Sequence, residues 1–336
     1  VEVRQELQPL YEKLYCWKYA IAGGSAIWDT SLCSPIYDMY AAYAGEKQCG
    51  IEQLFNGTVY LISPLKWGRA EAEQFLYFHG KGLRTNIGTM PVIGGTAPVT
   101  LAGALALQVA ESLFIAIVNR CFFQTMTVHL SSSLPVMDMV TGSFRYGRPE
   151  QGLMTLAGAQ VAEALGASFS AHGGLTDSVE PGSESGVQKA HSAMISAAAS
   201  GRGVIEAGLL GVDEIFSPIQ MILDNEATAA FAHVTKGIPV NDDTLALSLI
   251  EEVGPGGDFL STQHTAEHVR ASLWQPALWS RHMYSSWEAK GKKTELERAR
   301  DIYRTKMSES PPLQSDISDC LEQSLRQIIE RTAKGQ

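Results

Sequence analysis

Short apolar runs alternate along this chain with longer stretches whose apolar positions recur every three to four residues. The runs span 19–25, 59–63, 84–89, 126–131, 168–173, 203–208 and 219–224, and each closes on glycine or a polar residue. Helical periodicity fills the gaps at 34–44, 70–81, 99–121, 151–165 and 185–200. Strands alternating with helices predict right-handed parallel βαβ units. None of the strand exits carries Gly-x-Gly-x-x-Gly, so the pattern predicts a barrel and not an open dinucleotide-binding sheet. The expected fold is α/β, a TIM-type (β/α) barrel over 1–240 lacking its first strand. From Asn241 the pattern turns helical. Asp242 opens a helix to about Val253, a Gly254-Pro255-Gly256-Gly257 loop follows, and charged helices occupy the rest. Residues 241–336 are expected as a helical C-terminal extension packed on the barrel.

The longest apolar stretch, 99–123, is interrupted by Gln108, Glu111, Ser112, Asn119 and Arg120. A helix in lipid would carry each of these at a cost. Thr96 is placed to cap the segment and Pro98 suits a first turn, so a buried helix packed on a sheet is predicted instead of a membrane span. The whole chain has 336 residues, 45% hydrophobic and 18% charged, with a net charge of −10. That acidity, with no Lys/Arg cluster interleaved with aromatics, argues against a nucleic-acid partner. The five cysteines, Cys16, Cys33, Cys49, Cys121 and Cys320, are scattered and form no Cys-x-x-Cys pair. A reduced, cytoplasmic chain with no signal peptide is expected.

In such a barrel, chemistry gathers at the C-terminal ends of the strands. Reading past each run gives Trp28 and Asp29; Ser63, Pro64 and Leu65; Thr89, Met90 and Gly94-Gly95-Thr96; Ser131 to Ser133, Asp138 and Thr141; His172 and Asp177; Glu206; and Asp224 with Glu226. Carboxylates at such positions often cap the next helix, the plainer reading of Asp29, Asp224 and Glu226. Glu206 lies inside the apolar run Val204-Ile205-Glu206-Ala207-Gly208, where a carboxylate needs a partner or a raised pKa. His172 precedes Gly173-Gly174, where the absence of Cβ atoms leaves backbone open to a ligand. Trp28, Phe144 and Tyr146 follow strands closely and offer ring faces to a quaternary ammonium, which has no N–H to donate. His264-Thr265-Ala266-Glu267-His268 matches the short H-x-x-E-H zinc-peptidase pattern, a weaker alternative to two surface histidines.

Five segments recur in a known order. They are Ile62-Ser63-Pro64-Leu65, Gly94-Gly95-Thr96-Ala97-Pro98-Val99-Thr100-Leu101-Ala102-Gly103, Met137-Asp138-Met139, Gly173-Gly174-Leu175-Thr176-Asp177-Ser178 and Glu252-Val253-Gly254-Pro255-Gly256-Gly257. Together they resemble the trimethylamine:corrinoid methyltransferase family, over about residues 18 to 330. The resemblance implies a barrel enzyme that moves a methyl group from a methylated amine to cobalt(I) of a corrinoid (cobalamin) carried by a separate protein. No D-x-H-x-x-G string is present, so the corrinoid is expected from that partner, with no metal held by this chain. The family archetype uses pyrrolysine, whose position falls near Gly173 to Thr176; this chain has only standard residues. The resemblance therefore points to the branch without pyrrolysine, similar to glycine betaine methyltransferases. A quaternary ammonium is already a competent leaving group, so the protein mainly has to hold the cation and align one N–CH₃ bond. His172, Asp177 and Glu206 are the expected charge-balancing catalytic set, and Trp28, Met90, Asp138, Tyr146, Gly173, Gly174 and Thr176 the substrate-binding set. An incomplete barrel exposes strand edges and suggests a homo-oligomer. The competing function is a non-catalytic homologue that binds the amine or the corrinoid protein.

Overall fold

A computed structural model describes residues 3–21, 23–132, 134–201 and 205–335. Ala22 in the first expected run, Ser133 in the fourth strand-end set, and positions 203 and 204 of the sixth run lie outside the described residues. The chain divides into two units. One comprises Val1–Leu130, Leu165–Ser168 and Ser310–Gln336, the other Ser131–Ala164 and Phe169–Glu309.

The first unit is built on amphipathic helices. Helix Cys33–Lys47 buries Ile36, Met39, Tyr40 and Ala44, and the C-terminal helix Asp319–Gly335 buries Leu321, Leu325, Ile328 and Ile329. The spacing of the latter four is one helical face. These residues share a core with Leu10, Leu14, Phe75 and Phe78. Ion pairs Lys18–Glu322 at 2.7 Å and Lys47–Asp316 at 3.0 Å border it. Strands β1 (Gly57–Tyr60) and β2 (Thr85–Gly88) pair in parallel, Gly57 opposite Thr85, with helix Arg69–Gly80 between them in sequence. This is one βαβ unit of the expected kind. The expected strand at 19–25 is absent from its described residues; only the adjoining Ala26 bridges in parallel to Thr58.

Helix Leu101–Phe123 is long and apolar enough to cross a membrane. It buries its polar stripe, Gln108, Glu111 and Ser112, and exposes Leu113, Phe114, Ile117 and Phe122. The expectation of a simply buried helix is therefore corrected, because the inward positions are needed for polar contacts. Its start also differs. Thr96 Oγ1 accepts from Val92 N at 2.9 Å and so closes the preceding turn, leaving Thr100 as N-cap.

The remaining strands are very short: β3 (His129–Ser131), β4 (Val136–Met137), β5 (Phe144–Arg145), β6 (Ser168–Ser170), β7 (Leu209–Leu210) and β8 (Ile215–Phe216). In the second unit β4 pairs antiparallel with β5, and β7 with β8. Among the described residues every sheet is two-stranded. The closed TIM-type barrel is thus corrected to a mixed α/β architecture with small sheets and, among the described residues, no closed barrel. Two- to four-residue strands give too few ladder bonds to carry a continuous ring. One expected strand is not a strand at all. Residues 219–224 lie within helix Pro218–Val234, because Ser217 accepts from Gln220 N at 3.2 Å as N-cap and Pro218 occupies the first turn.

Helices Pro149–Ala164 and Ser183–Ser200 pack against each other, with Gly152 facing His191 and Ile195. A Cβ on Gly152 would lie 2.7 Å from Ile195 Cδ1. Farther on, the helix expected from Asp242 breaks at Ala246, φ 48°, into Asp242–Leu245 and Leu247–Val253.

Candidate functional site

In the second unit, the chain leaving β6 brings His172 to the end of a short extended segment. Ser132 Oγ accepts from His172 N at 2.6 Å, and Ser196 Oγ donates to the His172 carbonyl at 2.6 Å. With its backbone held on both sides, the imidazole sets Nδ1 2.9 Å from Glu206 Oε1. The side chains are 41% and 29% exposed respectively, so the pair faces solvent and ligands can reach it. Among the described residues His172 Nε2 has no partner. Glu206 is brought there by its own backbone, whose N–H donates to the Gly173 carbonyl at 3.0 Å.

Beneath this pair lies a buried polar hub. Lys189, on helix Ser183–Ser200, donates to the carbonyls of Gly174 at 2.7 Å and Glu206 at 2.9 Å, and to Asp224 Oδ2 at 3.0 Å. All three ammonium protons are thereby used. Asp224 also accepts from Gly208 N at 2.8 Å and Gln220 Nε2 at 2.7 Å. The segments carrying His172 and Glu206 are thus pinned to two helices by one charge pair. Neither Asp224 nor Glu226 is a cap or a surface residue: both are buried, and Glu226 Oε1 accepts from Leu278 N at 2.8 Å and Trp279 N at 3.0 Å.

Asp177 faces other partners. Its Oδ1 accepts from Tyr146 N at 2.7 Å and Gly147 N at 3.0 Å, and its Oδ2 lies 3.6 Å from Arg148 Nε. Arg148 reaches on to Asp138 Oδ2 at 2.8 Å, while Asp138 Oδ1 accepts from Val140 N at 2.9 Å and Thr141 N at 3.0 Å. Those backbone bonds, first from Thr141, hold the Asp138 carboxyl below its usual range. Thr176 Oγ1 donates to Gln188 Oε1 at 2.6 Å, so it too is tied to the helix. Tyr146 packs edge-on to Phe144 with centroids 5.6 Å apart. Trp28, 50% exposed, and Met90, 37% exposed, belong to the first unit.

The expected open backbone at Gly173-Gly174 is corrected. Both glycines are buried, Gly174 has φ +74°, and a Cβ there would lie 2.7 Å from Ile205 Cα. The room is taken by the neighbouring strand-like segment, which is why a glycine is required.

One residue near the pair escaped the sequence reading. Asp213, in the turn between β7 and β8, has its carboxyl raised above the ordinary value, first by loss of surrounding water and then by the charge of Glu206. The residue as a whole remains exposed. Val212 and Asp213 adopt φ 58° and 69°, a conformation that a β-branched residue rarely takes.

In the first unit, Glu111 gathers strand-end residues. Its Oε2 accepts from Ser63 Oγ at 2.9 Å and from Thr89 Oγ1, and its Oε1 from Leu65 N at 2.9 Å. A cavity of about 170 Å³ adjoins it, walled by Leu61, Leu65, Trp67 and Phe114. Glu111 read in sequence only as a break in an apolar helix. The His264 and His268 rings lie tilted at 31° with centroids 4.2 Å apart, His268 Nε2 lies 3.4 Å from Asp243 Oδ2, and Glu267 accepts from Gln263. Among the described residues no cluster of three or more His, Cys, Asp or Glu forms a metal-holding group.

Comparison with known proteins places these features in a family. The profile of the trimethylamine methyltransferase (MTTB) family matches residues 23–335. Trimethylamine methyltransferase MttB of Methanosarcina barkeri is 29% identical over 304 residues, covering 89% of this chain and 60% of the relative. The protein of the same name from Desulfitobacterium hafniense is 28% identical over 298 residues, with 88% and 60% covered. Glycine betaine methyltransferase of Desulfitobacterium hafniense is 30% identical over 227 residues, with 67% and 47% covered. The chain therefore spans about 60% of the length of the first two relatives.

Proposed function

This chain belongs to the trimethylamine methyltransferase family, and from that membership we propose that it moves a methyl group from a quaternary or tertiary methylamine, of the glycine betaine type, to cobalt(I) of a separate corrinoid protein in the cytoplasm. The observation that carries the reading is the half-exposed His172–Glu206 pair with Asp213 beside it. Two neighbouring carboxylates, with Asp213 raised first by loss of surrounding water and then by the charge of Glu206, suit a small cation. A methylated ammonium placed there relieves that repulsion.

The corrinoid, when bound by its own protein, supplies a cobalt(I) nucleophile for the methyl group, and the C–N electron pair stays with the departing amine. Glu206 and Asp213 hold the cation, and His172 fixes the rotamer of Glu206. Tyr146 is the proposed ring face, and Asp177, Asp138 and Thr176 order the loops around the site. Negative charge favours the cationic reactant over a transition state in which that charge is falling. The carboxylates therefore serve capture and orientation, and removing one should raise KM more than it lowers kcat.

The test mixes the purified chain with a cobalt(I) corrinoid protein and betaine, carnitine, choline, proline betaine or trimethylamine, and follows methyl-cobalt formation by its absorbance. At least one amine should react, and Glu206→Gln should raise its KM about tenfold. No methyl-cobalt with any of the five overturns the reading. Tight amine binding without methyl transfer would support the non-catalytic homologue instead.

A further inference from the structure

The arginine-bearing segment after Thr262 has no part in the site described above, yet it builds a second concavity. Residues 276–298 of the second unit enclose a cleft of about 300 Å³. Arg281, His282, Lys290, Lys293 and Arg298 line it, and no carboxylate does. In a chain of net charge −10 this is a marked local reversal of sign.

The cations divide by their partners. Arg298 is part of the wall: Nε donates to the Leu278 carbonyl at 2.9 Å and a terminal nitrogen to the Lys293 carbonyl at 2.6 Å. Trp287 Nε1 donates to that same carbonyl at 2.9 Å, fixing its indole in place. Lys293 is neutralised by Asp301 at 2.6 Å. Arg281 and Lys290 differ. Arg281 donates to the neutral Gln275 Oε1 at 2.6 Å, and Lys290 Nζ sits 3.1 Å from His282 Nε2. Among the described residues neither has a carboxylate partner. Two unneutralised cations in one cleft repel each other, and an anion between them relieves that repulsion. Trp279 and Trp287 also line the cleft, and Trp279 is held edge-on by Trp274 at 5.1 Å with 39% of its surface exposed. The volume lies at the lower end of the range for small-molecule sites.

We propose that this cleft binds a small polyanion bearing a flat ring, the chemistry of a nucleoside diphosphate, with its phosphates on Arg281 and Lys290 and its ring against the tryptophans. The assignment rests on the cleft alone and is independent of methyl transfer.

Adenosine diphosphate, inorganic pyrophosphate and adenosine are titrated into the full chain, with calorimetry and tryptophan fluorescence as readouts. The diphosphate should bind saturably, more tightly than pyrophosphate, and should weaken as salt is raised. The double variant Arg281→Gln/Lys290→Gln, both exposed positions, should lose about tenfold in affinity with an unchanged melting temperature. Absence of saturable binding by either phosphate at millimolar concentration overturns the proposal. So does wild-type affinity in the double variant, and so does a diphosphate that binds no better than pyrophosphate. A failed methyl-transfer assay would leave each of these outcomes untouched.

Discussion

Lys189 Nζ and Asp224 Oδ2 lie 3.0 Å apart, and each side chain is only 3% exposed. Their remaining bonds run to Gly174, Glu206, Gly208 and Gln220, so one buried pair joins the segments that present His172 and Glu206. Breaking a buried pair from one side leaves an uncompensated charge, at a cost of about 3–5 kcal/mol. Lys189→Met should show that loss in urea unfolding. The double variant Lys189→Met/Asp224→Leu should recover part of it, since removing both charges lifts the largest penalty. A single variant within about 1 kcal/mol of wild type would mean the pair does not hold these segments.

Gly174 and Gly142 share nearly the same backbone, φ +74° and +71°, but not the same surroundings. A Cβ on Gly174 meets Ile205, while one on Gly142 has nothing within 4 Å. Gly142→Ala should cost about 1–2 kcal/mol, the left-handed penalty alone. Gly174→Ala should cost about 1–3 kcal/mol more from overpacking, measured as the difference in unfolding midpoints. Equal costs would show that Ile205 moves aside freely.

Asp213 gives a pH signature. Its native pKa lies above the ordinary 3.8 through dehydration and the charge of Glu206. Between those two values the native state keeps a proton that the unfolded chain has released, so stability falls as pH rises through that window. Above the native pKa the curve levels off. Asp213→Asn cannot titrate and should gain on wild type across the same window, read from melting temperatures at each pH. Parallel curves would remove Asp213 from the neighbourhood of Glu206. Glu206→Gln should likewise flatten the wild-type slope.

Much of the helical framework was legible because periodicity and end signals agree. Cys33–Lys47 and Ser183–Ser200 fall within three residues of their expected starts. Strands were legible only where tertiary pairing followed, as at β1 and β2; apolar runs elsewhere yielded two or three paired residues or none. At 219–224 the apolar run outweighed the Ser217-Pro218 start signal, which the structure shows to be decisive. His172 and Glu206 could be singled out from a histidine before paired glycines and a carboxylate in an apolar run. Their contact could not, since 34 residues separate them. Asp213 gave no signal: it sits in a turn between two-residue strands, and only the fold brings it to Glu206. Lys189 gave no signal within the helical stretch 185–200; its burial depends on carbonyls from two other segments.

Lys13 provides the opposite slope from Asp213. It is 1% exposed, donating to the carbonyls of Gly24 and Ala26, and burial pushes its pKa down from 10.5 to about 8. Below about pH 8 both states are protonated, and the fold carries the full cost of the buried charge. From there to 10.5 the unfolded chain binds the proton and the native state does not, so stability rises with pH. Lys13→Met removes the titration but also orphans two carbonyls, a loss that does not depend on pH. The stability gap between wild type and variant should therefore widen in favour of wild type across that window, by on the order of 3 kcal/mol. Comparing the two proteins at each pH cancels the tyrosines and cysteines that titrate in the same range. A gap that stays constant from pH 7 to pH 10, in roughly matched urea titrations, would show that Lys13 keeps its ordinary proton affinity and that water reaches its ammonium in the fold.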